Sequence, residues 1–217
     1  MFNIYIVHYD LLVERKQNMI NQLINLGYKY TFISNKGQSV ITDKEKSKFN
    51  TIKIAEISLF LHHIEAMKEV VNPLNKNKFN LILEDDAILH SKFDKIITTM
   101  LPRLPEDWDM FFIGNGCNLH APYTEGKHIY KVHGNNSLNL KIGPTRCADS
   151  YFISKKCANL ALSRLNLPNY LITMPIDHWL NAFIKHNNLN IYWLEPTIVQ
   201  QGSELGTYNT SLDHTIC

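Results

Sequence analysis

Three consecutive carboxylates, Glu84, Asp85 and Asp86, stand directly behind the apolar run FNLIL of residues 79–83. Acids this close repel one another and lose hydration unless a cation or hydrogen-bond donors neutralise them. A short continuous apolar run is the signature of a strand buried on both faces, and in open α/β sheets ligands bind beyond the carboxyl ends of such strands. Side chains two apart on an extended backbone share a face, so Glu84 and Asp86 are expected to point together and Asp85 away. Hard oxygen ligands of this kind suit Mg2+ or Mn2+, which commonly bridge protein carboxylates to substrate phosphates. The competing reading is a solvated acidic turn that caps the next segment.

A second carboxylate of interest is Asp177 in TMPIDHWL, in the first turn of a helix expected over residues 175–186 with Pro175 at its first position. The helix dipole favours the ionised form there and burial beside Trp179 raises its basicity, which suits a general base for a hydroxyl; acids in first turns also simply cap helices. Arg15 sits at the mouth of the first strand-to-helix loop, where helix N-termini favour anions such as phosphate, or else on a solvated helix face. His63 lies mid-helix beside an apolar stripe, as a ligand-site histidine or a satisfied core one. Cys117, His120, His128 and His133 are zinc-ligand types without the spacing of a zinc finger. Neither G-x-x-x-x-G-K-[ST] nor G-x-G-x-x-G is present, which argues against a nucleotidyltransferase or phosphohydrolase built on a phosphate loop.

The elements that must position these groups are legible. Residues 2–7 form a strand, and Leu12, Met19, Ile20, Leu23 and Ile24 recur at helical spacing before Gly27, a helix stop. A second strand over residues 30–34 completes a βαβ opening. Thr42 and Glu45 have capping-box spacing, and a longer helix is expected over 54–72 before Pro73. Further helices are expected over 91–101 and 155–165, with strands over 108–114, 150–154 and 191–194. Residues 115–145 read as a long polar loop system and residues 195–217 lack strong periodicity.

The 217 residues, 45 % apolar and 11 % aromatic with nine Gly and eight Pro, exclude a disordered, collagenous or low-complexity chain, and no repeat or linker divides them. One domain over residues 1–217 is expected. The 22 basic and 20 acidic residues leave a formal charge of +2 with no basic run, so no nucleic-acid partner is expected. Four dispersed cysteines without C-x-x-C favour a cytoplasmic or other reducing compartment. The N-terminus enters a strand with no signal-peptide pattern, and no segment reaches the ~18 apolar residues of a membrane span.

Together these segments resemble glycosyltransferase family 25, which includes lipooligosaccharide galactosyltransferases and collagen hydroxylysine glycosyltransferases. IYIVHYDLLVERKQNM is similar to the family's first strand and its Asp-x-x-x-x-Arg loop, here Asp10 and Arg15. FISNKGQSV looks like its second strand and turn, and EISLFLHHIEAMKEV its Gly-Cys-x-x-Ser-His helix, with His63 in the histidine place, His62 in the serine place and Ser58 in the glycine place. LILEDDAIL resembles its acidic metal motif, WDMFFIG its Trp-Asp strand, SYFISKKCANLAL its Ala-Tyr-x-Ile-Ser strand and helix, and PIDHWL its Pro-Ile-Asp segment.

The resemblance implies a GT-A fold, a Rossmann-like mostly parallel sheet flanked by helices. It implies inverting transfer of a hexose, galactose or glucose, from a UDP-sugar with Mn2+ or Mg2+. The acceptor would be hydroxylysine or galactosyl-hydroxylysine of a collagen-like protein, or a lipooligosaccharide glycan. Glu84 and Asp86, completed by a late residue such as His214 beside Asp213, would hold the metal. His8, Arg15, His63 and Asp85 would bind the nucleotide-sugar, and Asp177 would be the base. The departures at Ser58 and His62 leave a second reading, a family-25 fold kept as a non-catalytic binding or scaffolding subunit.

Overall fold

The computed structural model describes residues 2–138, 140 and 143–208. Strand β1 (Phe2–Val7) alternates as a buried strand must: Phe2, Ile4 and Ile6 enter one layer of the core, Tyr5 and Val7 the other. Helix α1 (Val13–Leu23) buries Met19 and Leu23 and is followed by Gly27 at φ +67°, a left-handed conformation that glycine adopts without strain. The chain returns as β2 (Lys29–Ile33), parallel to β1. Thr42 and Glu45 close a capping box over the short α2 (Asp43–Lys46). Helix α3 (Ile54–Val71) leads to β3 (Phe79–Glu84), which pairs in parallel with β1.

Beyond the acidic turn come β4 (Ala87–Leu89), α4 (Phe93–Met100), β5 (Met110–Phe112), β6 (Ile129–His133) and β7 (Ser150–Ile153). Helices α5 (Lys155–Leu165) and α6 (Ile176–His186), then β8 (Ile191–Leu194) and β9 (Val199–Gln201), follow. The main sheet has seven strands in the order β2-β1-β3-β7-β5-β8-β6, and β4 pairs with β9 in a small second sheet. Five of the seven run in one direction; β7 is antiparallel to β3 and β5, and β6 to β8. This is the expected mostly parallel, Rossmann-like α/β sheet. Helices α3, α5 and α6 cover one face, while α1 and α4 cover the other.

Three expectations are corrected. Residues 115–145 are not wholly loop: IYKVH forms edge strand β6, whose half-buried Lys131 and His133 hid it in a polar stretch. The segment after residue 195 carries β9, three residues long, too short for a period to register. Pro175 is the N-cap of α6 and Ile176 its first residue. Trp108, Trp179 and Trp193 are all buried. Among the described residues no helix is long and apolar enough to cross a membrane.

Candidate functional site

The carboxyl ends of β1, β2, β3, β5 and β8 share one edge of the sheet, and because β7 is antiparallel its first residues lie at that edge too. On β3, Leu81 and Leu83 face the α1 layer and Ile82 the α3 layer. Carried one residue further, this alternation sends Glu84 toward α3; the strand ends there, and in the turn that follows Asp85 meets Arg15 of α1 while Asp86 is held by Ser203.

Asp85 is buried, and its carboxylate is fully engaged. Oδ2 accepts from His8 Nδ1 at 2.8 Å and from the Tyr9 N–H at 3.3 Å, while Oδ1 accepts from Arg15 Nη1 at 3.0 Å. A carboxylate partner requires His8 Nδ1 to carry a proton, and Nε2 is buried without a hydrogen bond. These residues border a cleft with Gln38, Ser58 and Glu84, and the Tyr208 ring lies 5.3 Å from the Arg15 guanidinium. Three of the four residues expected to bind nucleotide-sugar therefore form one network in which Asp85 positions His8 and Arg15.

The fourth, His63, lies on the other face. Its ring stacks on Tyr151, Nδ1 is 2.9 Å from the Tyr151 hydroxyl, and Nε2 is 3.5 Å from Glu84 Oε1. Burial holds the His63 pKa down to about 3. Burial first, then the charges of Asp86, Asp85 and Asp177, push the Glu84 carboxyl well above the usual range. Asp177 is felt electrostatically at both Glu84 and His63, so the start of α6 faces the same edge. The Asp177 side chain keeps 32 % of its surface, and its one polar partner among the described residues is His178 at 3.8 Å. It makes no capping hydrogen bond, so its carboxylate stays available.

Asp86 is 2 % exposed. Oδ2 accepts from Ser203 N–H at 3.3 Å and Oγ–H at 2.6 Å, and its carbonyl accepts from Gly202 N–H at 2.8 Å. Oδ1 has no partner. Residues 202–208 thus strap over the acidic turn, anchored by β9 on β4.

Sequence reasoning missed Asp149, which is 1 % exposed and whose backbone carbonyl accepts from Glu84 N–H at 2.8 Å. Burial, then the Glu84 charge, pushes its pKa up to about 8; Oδ2 accepts from Ser150 Oγ at 2.9 Å and Oδ1 has no partner. An acid immediately ahead of the apolar run SYFI was the available signal, unreadable without knowing that β7 runs antiparallel. Gly114, beyond β5, leaves room for this carboxyl, since a Cβ there would overlap Ser150 Oγ and Asp149 Oδ2. Gly114→Ala is expected to lower stability by about 1–3 kcal/mol through overpacking, read as a lower urea midpoint at unchanged slope.

The departures at Ser58 and His62 have a structural account. Ser58 Oγ donates to Lys36 O at 2.6 Å and His62 Nε2 accepts from Lys36 N–H at 3.0 Å, so α3 grips both peptide groups of the turn after β2. Burial holds His62 at a pKa of about 4. Because the unfolded chain takes up this proton near pH 6.5 and the folded chain does not, the His62 contribution to stability is full above pH 6.5. That contribution is expected to fall by roughly 3 kcal/mol as pH drops toward 4. Urea unfolding at pH 7 and pH 4.5 checks this, with His62→Gln losing less over the same interval.

His214 and Asp213 lie outside the described residues. His120 Nδ1 lies 3.2 Å from Glu195 Oε2, His128 and His133 donate to backbone carbonyls, and the Cys117 and Cys147 sulfurs are 2.9 Å apart. Among the described residues no three His, Cys, Asp or Glu side chains gather closely enough to hold a metal. The unpartnered Asp86 Oδ1 and the carboxyl of neighbouring Glu84 are the oxygen donors at this edge that would suit a divalent ion.

No protein-family model and no curated protein matches the chain. Solved structures match in overall tracing. A glycosyltransferase involved in glycosylation of the PBCV-1 major capsid is 11 % identical at TM-score 0.43, covering 90 % of this chain and 94 % of that one. The catalytic domain of Drosophila beta1,4galactosyltransferase 7 with xylobiose is 8 % identical at TM-score 0.46, covering 98 % and 75 %. The inositol-1-phosphate CTP transferase of T. maritima is 10 % identical at TM-score 0.42, covering 92 % and 88 %. Likenesses this distant assign no chemistry to this chain.

Proposed function

We propose that this chain is a GT-A-type, metal-dependent inverting glycosyltransferase that moves a hexose, galactose or glucose, from a UDP-sugar to a hydroxyl acceptor. The observation that carries the reading is the buried, unpartnered Asp86 Oδ1, next in the chain to Asp85 of the His8–Asp85–Arg15 network. Glu84 and Asp86 would hold Mn2+ or Mg2+, which when bound supplies Lewis-acid stabilisation of the departing diphosphate. Arg15 and His8, fixed by Asp85, bind the nucleotide portion. Asp177 orients the acceptor hydroxyl and takes its proton as the oxygen bonds to the anomeric carbon and the bond to phosphate breaks on the opposite face. The acceptor is the hydroxyl of a hydroxylysine-bearing protein or of a glycan, as the resemblance implies.

The second reading is a non-catalytic binding or scaffolding subunit; Ser58 and His62, which motivated it, hold the Lys36 turn. Calorimetric titration with UDP, with and without Mn2+, followed by UDP-sugars scored for slow hydrolysis, tests the proposal. Mn2+-dependent binding with one sugar preferentially hydrolysed is expected. Absence of UDP binding in both conditions would return the chain to the scaffolding class.

A further inference from the structure

The small second sheet ends at the acidic turn. Strand β9 pairs antiparallel with β4, with Gln201 opposite Ala87, and the pairing continues one rung further, where Gly202 N–H donates to the Asp86 carbonyl at 2.8 Å. An approach this close requires glycine, because a Cβ on Gly202 would lie 2.9 Å from that carbonyl oxygen and 2.6 Å from the Tyr208 ring. Beyond Gly202 the chain folds back on itself. The Glu204 and Leu205 N–H groups donate to the Gln201 carbonyl at 3.1 and 3.2 Å, and the Thr207 and Tyr208 N–H groups to the Gly202 carbonyl at 2.9 and 3.3 Å. Ser203 is thus carried on a turn closed by its own hydrogen bonds, and the same turn sets the Tyr208 ring 5.3 Å from the Arg15 guanidinium.

Both donors of Ser203 serve one oxygen. Oγ–H reaches Asp86 Oδ2 at 2.6 Å and the backbone N–H reaches the same atom at 3.3 Å, while Oδ1 is buried without a partner. An aspartate side chain turns about χ1 and χ2, and two donors aimed at one carboxylate oxygen from a backbone already held fix both rotations. The other oxygen is then the one left for a cation. Metal-binding carboxylates are held by outer hydrogen-bond partners in this manner, and losing such a partner typically lowers metal affinity by about 10–100-fold. A strap that merely covered the acidic turn would give the opposite sign, since freeing Asp86 would ease metal entry.

We infer that Ser203 is the positioning residue of the proposed metal carboxylate, holding Asp86 so that Oδ1 is presented to the divalent ion. The inference rests on the metal-dependent reading above and adds to it a group, distant in sequence from the acidic triplet, that sets metal affinity. Its test is calorimetric titration of UDP at stepped Mn2+ concentrations on wild type, Ser203→Ala and Ser203→Thr, with thermal unfolding as the check that each variant is folded. Ser203→Ala is expected to need about 10–100-fold more Mn2+ to reach half of the full UDP-binding response. Its UDP affinity at saturating Mn2+ should stay within about threefold of wild type, and Ser203→Thr, which keeps the hydroxyl donor, should stay within about threefold on both measures. A folded alanine variant with wild-type or higher Mn2+ affinity, or a folded threonine variant as impaired as the alanine one, overturns the positioning role and leaves the metal reading intact. UDP binding by wild type that does not depend on Mn2+, or no UDP binding at all, overturns both.

Discussion

Asp86→Ala is expected to abolish Mn2+-dependent UDP binding and turnover together, with kcat/KM down by about a thousandfold or more, since a metal supplies several kcal/mol and each 1.4 kcal/mol is tenfold. The size follows from where the carboxylate sits. It is buried, Ser203 holds one oxygen, and the other has nothing to accept. Ser203 donates to Oδ2 while Oδ1 is a buried acceptor without a donor, so Asp86→Asn, which keeps the shape and an oxygen for Ser203, should unfold at the same or a higher temperature than wild type. The expected result is thus loss of binding without loss of stability. Wild-type affinity for UDP in the alanine variant with Mn2+ present would remove Asp86 from the metal site.

Asp177→Asn is expected to behave in the opposite way toward binding, leaving Mn2+-dependent UDP affinity within about twofold while kcat falls roughly 10²–10⁴-fold, the usual contribution of a positioned general base. Asparagine keeps the shape and cannot accept the hydroxyl proton. The carboxylate makes no capping hydrogen bond, so α6 should keep its stability, whereas a capping acid would show the reverse pattern of lower stability and unchanged kcat. Unchanged turnover, or a parallel fall in UDP affinity, would take Asp177 out of the proton-transfer role.

Much of this architecture was written in local chemistry. The period-two alternation of Phe2–Val7 and the unbroken apolar run ahead of Glu84 identify buried strands because their side chains must fill both layers of the core. The Thr42–Glu45 box and the α5 span from Lys155 to Leu165 were readable for the same reason, since caps and helical spacing act over a few residues. The placing of the acidic triplet at the carboxyl end of a buried strand also follows from the apolar run alone.

What only the tertiary structure decided was everything set by strand order and direction. That β7 runs antiparallel brings Asp149 to the edge where β3 ends, a fact no spacing within SYFI encodes. That β9 pairs with β4 draws Ser203 onto Asp86 across more than a hundred residues of sequence. Asp85 was legible as an acid but not as the group that orients His8 and Arg15, because its donors come from the loop beyond β1 and from α1. His62 and Ser58, read from sequence as departures from a motif, became a grip on the Lys36 turn once α3 was packed against it. Residue types and their local periods determined which groups could do chemistry; long-range pairing, whose free energy is shared among segments distant in the chain, determined which of them meet.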